Sequence, residues 1–334
     1  MKHWTPAQLS RVRQLREGFF DGTAGAHDYW ESLEDLALYD VTLGVRIGWK
    51  CDAVLQELTR RGWSPRCRRL FDWGCGSGVA TRRILAHWPG FESLTLHDRS
   101  PSAITFATER ARKHVSNTLR MDRGDAVLPG TLLVLSHVLN ELDDTMLERL
   151  LSQVRNADEI IWVESGTHAN SRRLIDVRES LRGDFRVVAP CTHQATCGLK
   201  TPENAPHWCH HFASPPTEAF QDARWAEFGR ELDIDLRALP YSFLVLDRRH
   251  SEPATPPGFS RIIGRPRDSK GYSRVLSSQE SGVAEFMLQK RDAPDILREV
   301  RKGRELPVYK WDLNGDRIMG GNALPSHGEA NETP

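Results

Sequence analysis

The chain has 334 residues, sets 45 Lys and Arg against 45 Asp and Glu, and is 39% hydrophobic. This composition excludes a collagen-like or wholly disordered protein, and the length predicts about two domains with room for a real core. No apolar run approaches the roughly 20 residues of a membrane-spanning helix. MKHWTPAQLSRVRQLREGFF lacks both a signal peptide's apolar stretch and a transit peptide's Ser-rich, acid-free character, so a cytoplasmic location without membrane contact is expected.

Residues 1–67 read as helical, with apolar residues at helical spacing in LEDLALYDVTLGVRIGWKCDAVLQELTRRG and Gly62 and Pro65 as stop signals. From residue 68 short apolar runs alternate with helical segments: RLFDW (69–73), SLTLHD (93–98), TLLVLSHV (131–138), EIIWVES (159–165), FRVVAP (185–190) and YSFLVLD (241–247). That rhythm predicts an α/β fold, a parallel sheet covered by helices on both faces. The organisation read from it is a helical region 1–67, an α/β core 68–190, a Cys/His-rich insertion 191–240, a last core strand 241–248, a basic antiparallel meander 249–312 and a disordered tail 313–334.

FDWGCGSGVATRRILAHW is the strongest motif. A strand ends at Asp72, Gly74, Gly76 and Gly78 follow, and a helix opens. Glycines let the backbone turn sharply and approach a ligand, at the sheet edge where open α/β folds bind them. A dinucleotide fingerprint needs Gly or Ala at residue 79, where Val79 stands. The G-x-G-x-G spacing after an acidic residue fits S-adenosylmethionine instead, which has no pyrophosphate. Asp98 ends the next strand, placed to accept both ribose hydroxyls, and Asp125 is placed to accept from the adenine amino group. The plain alternative is a glycine-rich turn without a ligand. Further on, LLVLSHVLNELDD brings Ser136, His137, Asn140 and Glu141 to the edge beside the methyl group. His137 is a candidate general base, or a wall residue. Asn140 or Asp143 is the expected cap of the next helix. No Asn/Asp-Pro-Pro-aromatic element is present, which argues against methylation of a base amino group by that route.

Cys191, Cys197 and Cys209 have the spacing C-x5-C-x11-C, with His193, His207, His210 and His211 among them. This irregular set suits iron–sulfur ligation or zinc, although the paired hooks of structural zinc sites are missing. A histidine nitrogen could complete it. Three reduced, buried thiols are the plain alternative.

FDWGCGSG, LSHVLNEL, WVESGT, APCTHQATC, HWCHHF and LPYSFLVLDRR, in that order, resemble the methyltransferase-like family associated with the small ribosomal subunit, whose members include the mitochondrial small-subunit assembly factor and bacterial relatives. YDVTLGVRIGWKCDAVL and GRPRDSKGYSRVLSSQESGV extend the resemblance over residues 25–305. It implies a class I S-adenosylmethionine-dependent methyltransferase-like Rossmann fold carrying a 4Fe–4S cluster, and a role in ribosome biogenesis or translation through binding the small ribosomal subunit and its rRNA. It leaves methyl transfer itself open, either retained by an S-adenosylmethionine-dependent methyltransferase or lost in a pseudo-enzyme, as which the mitochondrial member is regarded. Three cluster ligands carry over onto Cys191, Cys197 and Cys209. The family's fourth cysteine falls near VLSSQESG, where this chain has Ser277 and Ser278, leaving Ser278, His193 or another group to complete the site, or zinc to replace the cluster.

Between Arg248 and Arg274 stand Arg248, Arg249, Arg261, Arg265, Arg267, Lys270 and Arg274, opposed by Glu252 and Asp268, a candidate phosphate-contact surface. Beside the ribosome-associated factor, the sequence leaves two other functions open: an active rRNA methyltransferase, and a small-molecule methyltransferase with structural zinc. Sequence does not fix the oligomeric state; a monomer is expected.

Overall fold

The structure is a computed structural model and describes residues 4–21, 28–114, 119–122, 124–237, 239–249, 255–303 and 306–325. The chain forms two compact units: 1–55, 65–165 and 212–241 make the first, and 56–64, 166–211 and 242–334 the second.

In the first unit, helices α1 (Pro6–Asp21), α2 (Leu33–Asp40) and α3 (Leu43–Arg60, which continues into the second unit) precede five strands. These are β1 (Arg69–Trp73), β2 (Ser93–His97), β3 (Arg120–Asp122), β4 (Thr131–Ser136) and β5 (Glu159–Ser165). They pair in parallel in the order β3-β2-β1-β4-β5. α4 (Val79–His87), α5 (Pro101–Arg112) and α6 (Asp144–Val154) are the crossovers. Parallel strands covered on both faces carry near-continuous apolar runs, and Leu132, Leu133, Val134 and Leu135 of β4 are all buried. The strand order reverses between β1 and β4, the switch point where such folds take ligands. This is the class I methyltransferase fold. Local chemistry sets the element boundaries. Ser100 caps α5 and Asp143 caps α6, its carboxylate accepting from the Met146 N–H at 2.7 Å. Asn140 is no cap; it donates to the Phe19 carbonyl at 2.7 Å and ties α1 down. α8 (Thr217–Gln221) and α9 (Ala223–Glu231) complete the unit, with Phe228 and Leu232 buried beside Val12 and Leu43.

In the second unit, α7 (His168–Leu181) leads to β6 (Arg186–Ala189), which runs antiparallel to residues 245–247 of β8 (Leu239–Asp247); β8 and β7 (His211–Ala213), which lies between them in the chain, each have residues in both units. The C-terminal part contains the expected antiparallel meander, but further strands close it into a barrel. β9 (Ser260–Ser269), β10 (Tyr272–Gln279), β11 (Gly282–Gln289), β12 (Val308–Asn314) and β13 (Arg317–Ala323) close a barrel in the order β10-β11-β13-β12-β9. α10 (Pro294–Lys302) connects β11 to β12. Its core holds Ile262, Val275, Phe286, Leu288, Tyr309 and Ile318. β13 lies inside the segment read as a disordered tail: RIMGGNA has little apolar alternation, and its pairing comes from β12 and β11 rather than from local pattern. The end of that expected tail, 326–334, lies outside the described residues. Among the described residues no helix is long and apolar enough to cross a membrane.

Candidate functional site

The glycine loop follows β1 in the first unit. Gly74 and Cys75 N–H groups donate to the His97 carbonyl at 2.8 and 3.0 Å, pinning the loop to the end of β2. Gly74, Gly76 and Gly78 all have positive φ. Their surroundings differ. A Cβ on Gly74 would lie 2.7 Å from Val138 Cγ1, and one on Gly78 2.8 Å from Ala107 Cβ. Among the described residues, chain neighbours aside, a Cβ on Gly76 would meet nothing within 4 Å, so this is the backbone face left open to a ligand. Asp98 closes the loop, one carboxylate oxygen accepting from Gly76 N–H and the other from Ser100 N–H, both at 2.9 Å.

Asp72 is 1% exposed. Its Oδ2 accepts from Thr81 Oγ1 at 2.5 Å, while Oδ1 has no partner among the described residues. Burial pushes its pKa up to about 6 from 3.8. An orphaned buried carboxylate oxygen at the end of β1, next in the chain to the glycine loop, suits a polar, cationic ligand. Asp125, by contrast, is exposed in the connection from β3 to β4.

One expected result follows. Because the folded pKa of Asp72 is raised, its contribution favours folding below about pH 3.8 and is lost as pH rises towards 6. Asp72→Asn is expected to stabilise the ligand-free protein by about 1–3 kcal/mol at pH 8 and by nothing at pH 3.5, as followed by urea unfolding. Equal effects at both pH values would disprove the assignment.

At the β4 edge His137 has φ +59°, a conformation uncommon outside glycine. Its Nε2 lies 3.1 Å from Lys50 Nζ and its Nδ1 3.2 Å from Ser136 Oγ. Burial, then the nearby Lys50 and Arg46, hold the imidazole neutral, with its pKa well below the usual range. Burial also pulls Lys50 down to about 7. Behind them Glu164 Oε1 accepts from Val138 N–H, Leu139 N–H and Trp162 Nε1–H at 3.0, 3.1 and 2.8 Å, and burial raises this carboxyl to about 7. Glu141 accepts from Tyr29 Oη at 3.2 Å and from Arg99 at 3.4 Å, and burial raises it to about 7 as well. Sequence reading missed Lys50, Glu164, Tyr29 and Arg99. The one available signal was Glu164, a carboxylate inside the apolar run EIIWVES.

In the second unit the three cysteines are neighbours. Cys197 and Cys209 pack with Ile175, Leu199, Ile263, Leu276 and Val283. Burial raises the Cys197 and Cys209 thiols; Cys191 adds to both, and Cys197 adds to Cys209. Arg178 faces them. Burial opposes its charge, but Cys191, Glu179 and Cys197 outweigh it and keep the guanidinium above its ordinary range. His193 is buried, its carbonyl accepting from Arg178 Nη2 at 3.2 Å, and His211 Nε2 lies 3.6 Å from Cys209 Sγ. Ser277 turns into the barrel and donates to Ser260 Oγ at 2.9 Å. Ser278 takes the opposite face of β10, shared with Leu276, on the cysteine side. Among the described residues no group of three or more His, Cys, Asp or Glu side chains is drawn into metal-holding geometry.

The basic surface is smaller than the sequence suggests. Arg261 is 2% exposed and bonded to Glu57, so it is no phosphate contact. Arg248 lies over the Phe185 ring at 4.3 Å. Arg265, Arg267, Lys270 and Arg274 are exposed, with Arg267 and Arg274 both paired to Glu285; Glu252 lies outside the described residues.

A family model for the mitochondrial small ribosomal subunit protein Rsm22 matches residues 50–305. The chain belongs to the Rsm22 family. The match spans the glycine loop, the β4 edge, all three cysteines and the first three barrel strands. No curated protein matches the sequence. Among solved structures the chain is similar to a precorrin-6y C5,15-methyltransferase from Geobacter metallireducens (12% identity, 59% of this chain and 86% of that one, TM-score 0.34). It is also similar to TrmK of M. capricolum in complex with S-adenosylhomocysteine (7%, 59% and 68%, 0.34) and to the YcgJ protein of Bacillus subtilis (9%, 60% and 99%, 0.36).

Proposed function

We propose that the protein is a methyltransferase-like factor of the small ribosomal subunit that binds S-adenosylmethionine in its first unit and an iron–sulfur cluster in its second. The observation that carries this reading is the family match, which runs through both sites. The ligand site is supported by the open Gly76 face, the Asp98 carboxylate at the loop, and the unpartnered oxygen of Asp72. When bound there, S-adenosylmethionine supplies a sulfonium methyl group. Gly74–Gly78 and Asp98 would hold its nucleoside end, and Asp72 the charged end.

The cluster would be held by Cys191, Cys197 and Cys209, with Ser278 on the same side as a candidate fourth ligand. Their mutual electrostatic contact and the facing Arg178 support this set, since a nearby cation favours the thiolate form that ligates metal. A metal holding this loop-rich segment contributes folding energy.

A second reading, an active rRNA methyltransferase, is favoured by one observation: a neutral His137 hydrogen-bonded to Lys50 at the edge where a methyl acceptor would enter. A neutral imidazole can accept the proton released by such an acceptor.

The test uses protein prepared without oxygen, assayed for iron, sulfide and sedimentation with small ribosomal subunits. Expected are iron and sulfide in the wild type, their loss in Cys197→Ser with a fall in melting temperature of several degrees, and co-sedimentation with small subunits. Equimolar zinc without iron would overturn the cluster, and absence from the subunit fraction would overturn the ribosomal role. Methyl transfer from labelled cofactor to small-subunit RNA would decide for the second reading.

A further inference from the structure

The C-terminal barrel has a definite topology. β9, β10 and β11 are antiparallel neighbours, α10 follows, β12 pairs antiparallel with β9, and β13 closes the barrel between β12 and β11, parallel to β11. Five strands in this Greek-key order, with a helix between the third and fourth, make an oligonucleotide-binding barrel, in which the face of the second and third strands and the loops joining strands one to two and four to five form the binding groove.

In this chain the two halves of that face differ. Towards one end, Leu276 and Val283 are packed beneath the turn Cys197–Leu199, so closely that a Cβ on Gly198 would lie 2.6 Å from the Val283 nitrogen. That half is closed by the protein itself. Towards the other end, the register puts Arg274 opposite Met287 and Tyr272 opposite Gln289 on the outer surface, with Arg267 across from Arg274 on β9. Val275, Phe286 and Leu288 alternate inward with these residues. The open half lies between the β9–β10 turn at Lys270–Gly271 and the β12–β13 turn at Gly315–Asp316. The Lys290 N–H donates to the Gly271 carbonyl, and the Met287 N–H to the Asp316 carbonyl, both at 2.8 Å.

Charge and shape select the occupant. Arg267 and Arg274 share the single carboxylate of Glu285, so the strand face keeps a net positive charge, and the exposed Lys270 adds to it at the turn. Tyr272 and Met287 supply a flat, partly exposed surface between the cations. Cations spaced along a groove with an aromatic stacking surface suit a flexible polyanion whose bases are free to stack, and neither a duplex nor an acidic protein offers such bases.

We infer that the open half of the barrel face, Arg267, Lys270, Tyr272, Arg274 and Met287, binds single-stranded RNA. The inference rests on the ribosomal reading and deepens it: the barrel takes an unpaired rRNA segment, with phosphates on the two arginines and Lys270 and a base on Tyr272.

The test measures fluorescence anisotropy of the full-length protein with a labelled single-stranded RNA of about 12 nucleotides, inside the roughly 4–16 that such barrels cover, and with the same strand in a duplex. Expected is salt-dependent binding that prefers the single strand. Arg267→Gln with Arg274→Gln should weaken it about tenfold and reduce the slope of log affinity against log salt by about 1.4, two phosphates at roughly 0.7 each. Tyr272→Ala should weaken binding several-fold and leave the slope unchanged, because stacking releases no counterions. Equal affinity for duplex and single strand, or an unchanged slope in the double variant, overturns the inference. So does a double variant that loses small subunits but keeps RNA, which would make the face a protein-docking surface. If RNA binding is absent while wild type and variant sediment equally with small subunits, the inference fails and the ribosomal reading stands. If the wild type does not sediment with subunits at all, the ribosomal reading itself fails.

Discussion

Glu57→Gln is expected to destabilise the second unit by about 3–5 kcal/mol, the cost of removing one partner from a buried ionic network. Glu57 is 5% exposed and sits between two buried guanidiniums. Arg261 grips it through Nη1 at 2.5 Å to Oε1 and Nη2 at 2.9 Å to Oε2, and Arg61 Nε donates to Oε1 at 3.0 Å. Arg61 then fans out to the carbonyls of Val188 and Pro190 and to Thr255, while Arg261 Nε reaches His211 Nδ1 at 3.3 Å. One carboxylate therefore compensates two cations that tie residues 57–61 to the loop after β6 and to β9. A glutamine keeps the shape and removes the charge, leaving both guanidiniums in a dry site. The measurement is the urea midpoint, supported by a melting temperature lowered by roughly 10 °C.

The pH dependence of that difference is fixed by the direction of the shift. Burial alone would raise the Glu57 carboxyl, but Arg261 and Arg61 outweigh it and bring it below its ordinary 4.5. A depressed folded pKa stabilises above the unfolded value and loses that stabilisation as pH falls through the folded one. The gap between wild type and Glu57→Gln should be full at pH 7 and shrink below about pH 4.5. Replacing all three residues by Met, Leu and Met should cost much less than Glu57→Gln alone, since no buried charge is then left without a partner. A single variant as stable as the wild type at pH 7 would show that the network contributes little.

This network also marks the limit of what the sequence made legible. The glycine loop, the β1, β4 and β5 runs and the Cys spacing are local patterns, and each can be read within about 15 residues because strand burial and turn geometry are short-range properties. Arg261 was read as a surface cation because its neighbours in the chain are basic. Its counter-charge, Glu57, lies 204 residues earlier, and no local rule reveals that distance. Lys50 was invisible for a related reason: a lysine on an amphipathic helix normally reaches solvent, and only the fold places it against His137. The barrel was half legible. Its first three strands read as a meander from alternation and turn residues, but closure depends on β13, whose Gly320 and Gly321 weaken the pattern by which strands are recognised. The cysteines were found by spacing, while the side of β10 that faces them follows from register, which separates Ser278 from Ser277.

Gly76→Asn is expected to lower affinity for S-adenosylhomocysteine by at least about 100-fold, close to 3 kcal/mol, while costing under about 1 kcal/mol of stability. The two effects separate because of where the new atoms go. Gly76 has φ +50°, a left-handed conformation that asparagine tolerates better than other side chains. Among the described residues, chain neighbours aside, no atom lies within 4 Å of the position a Cβ would take, so folding meets no clash and the side chain projects into the space assigned to the ligand. It also stands against Asp98 Oδ2, which accepts the Gly76 N–H. Gly78→Asn is the matched contrast. Its φ of +74° is equally tolerant of asparagine, but its Cβ would lie 2.8 Å from Ala107 Cβ and 3.2 Å from Ala107 Cα, on the packed face of α5. That overlap cannot be relieved by a side-chain rotation, because alanine has none, and it should cost about 1–3 kcal/mol. Isothermal calorimetry for the ligand and urea unfolding for stability make the comparison. The expected pattern is crossed, with Gly76→Asn folded and blind to the ligand and Gly78→Asn impaired chiefly in folding. Normal S-adenosylhomocysteine binding by Gly76→Asn would mean that the ligand does not lie against this loop, and the cofactor assignment would have to move to another part of the first unit.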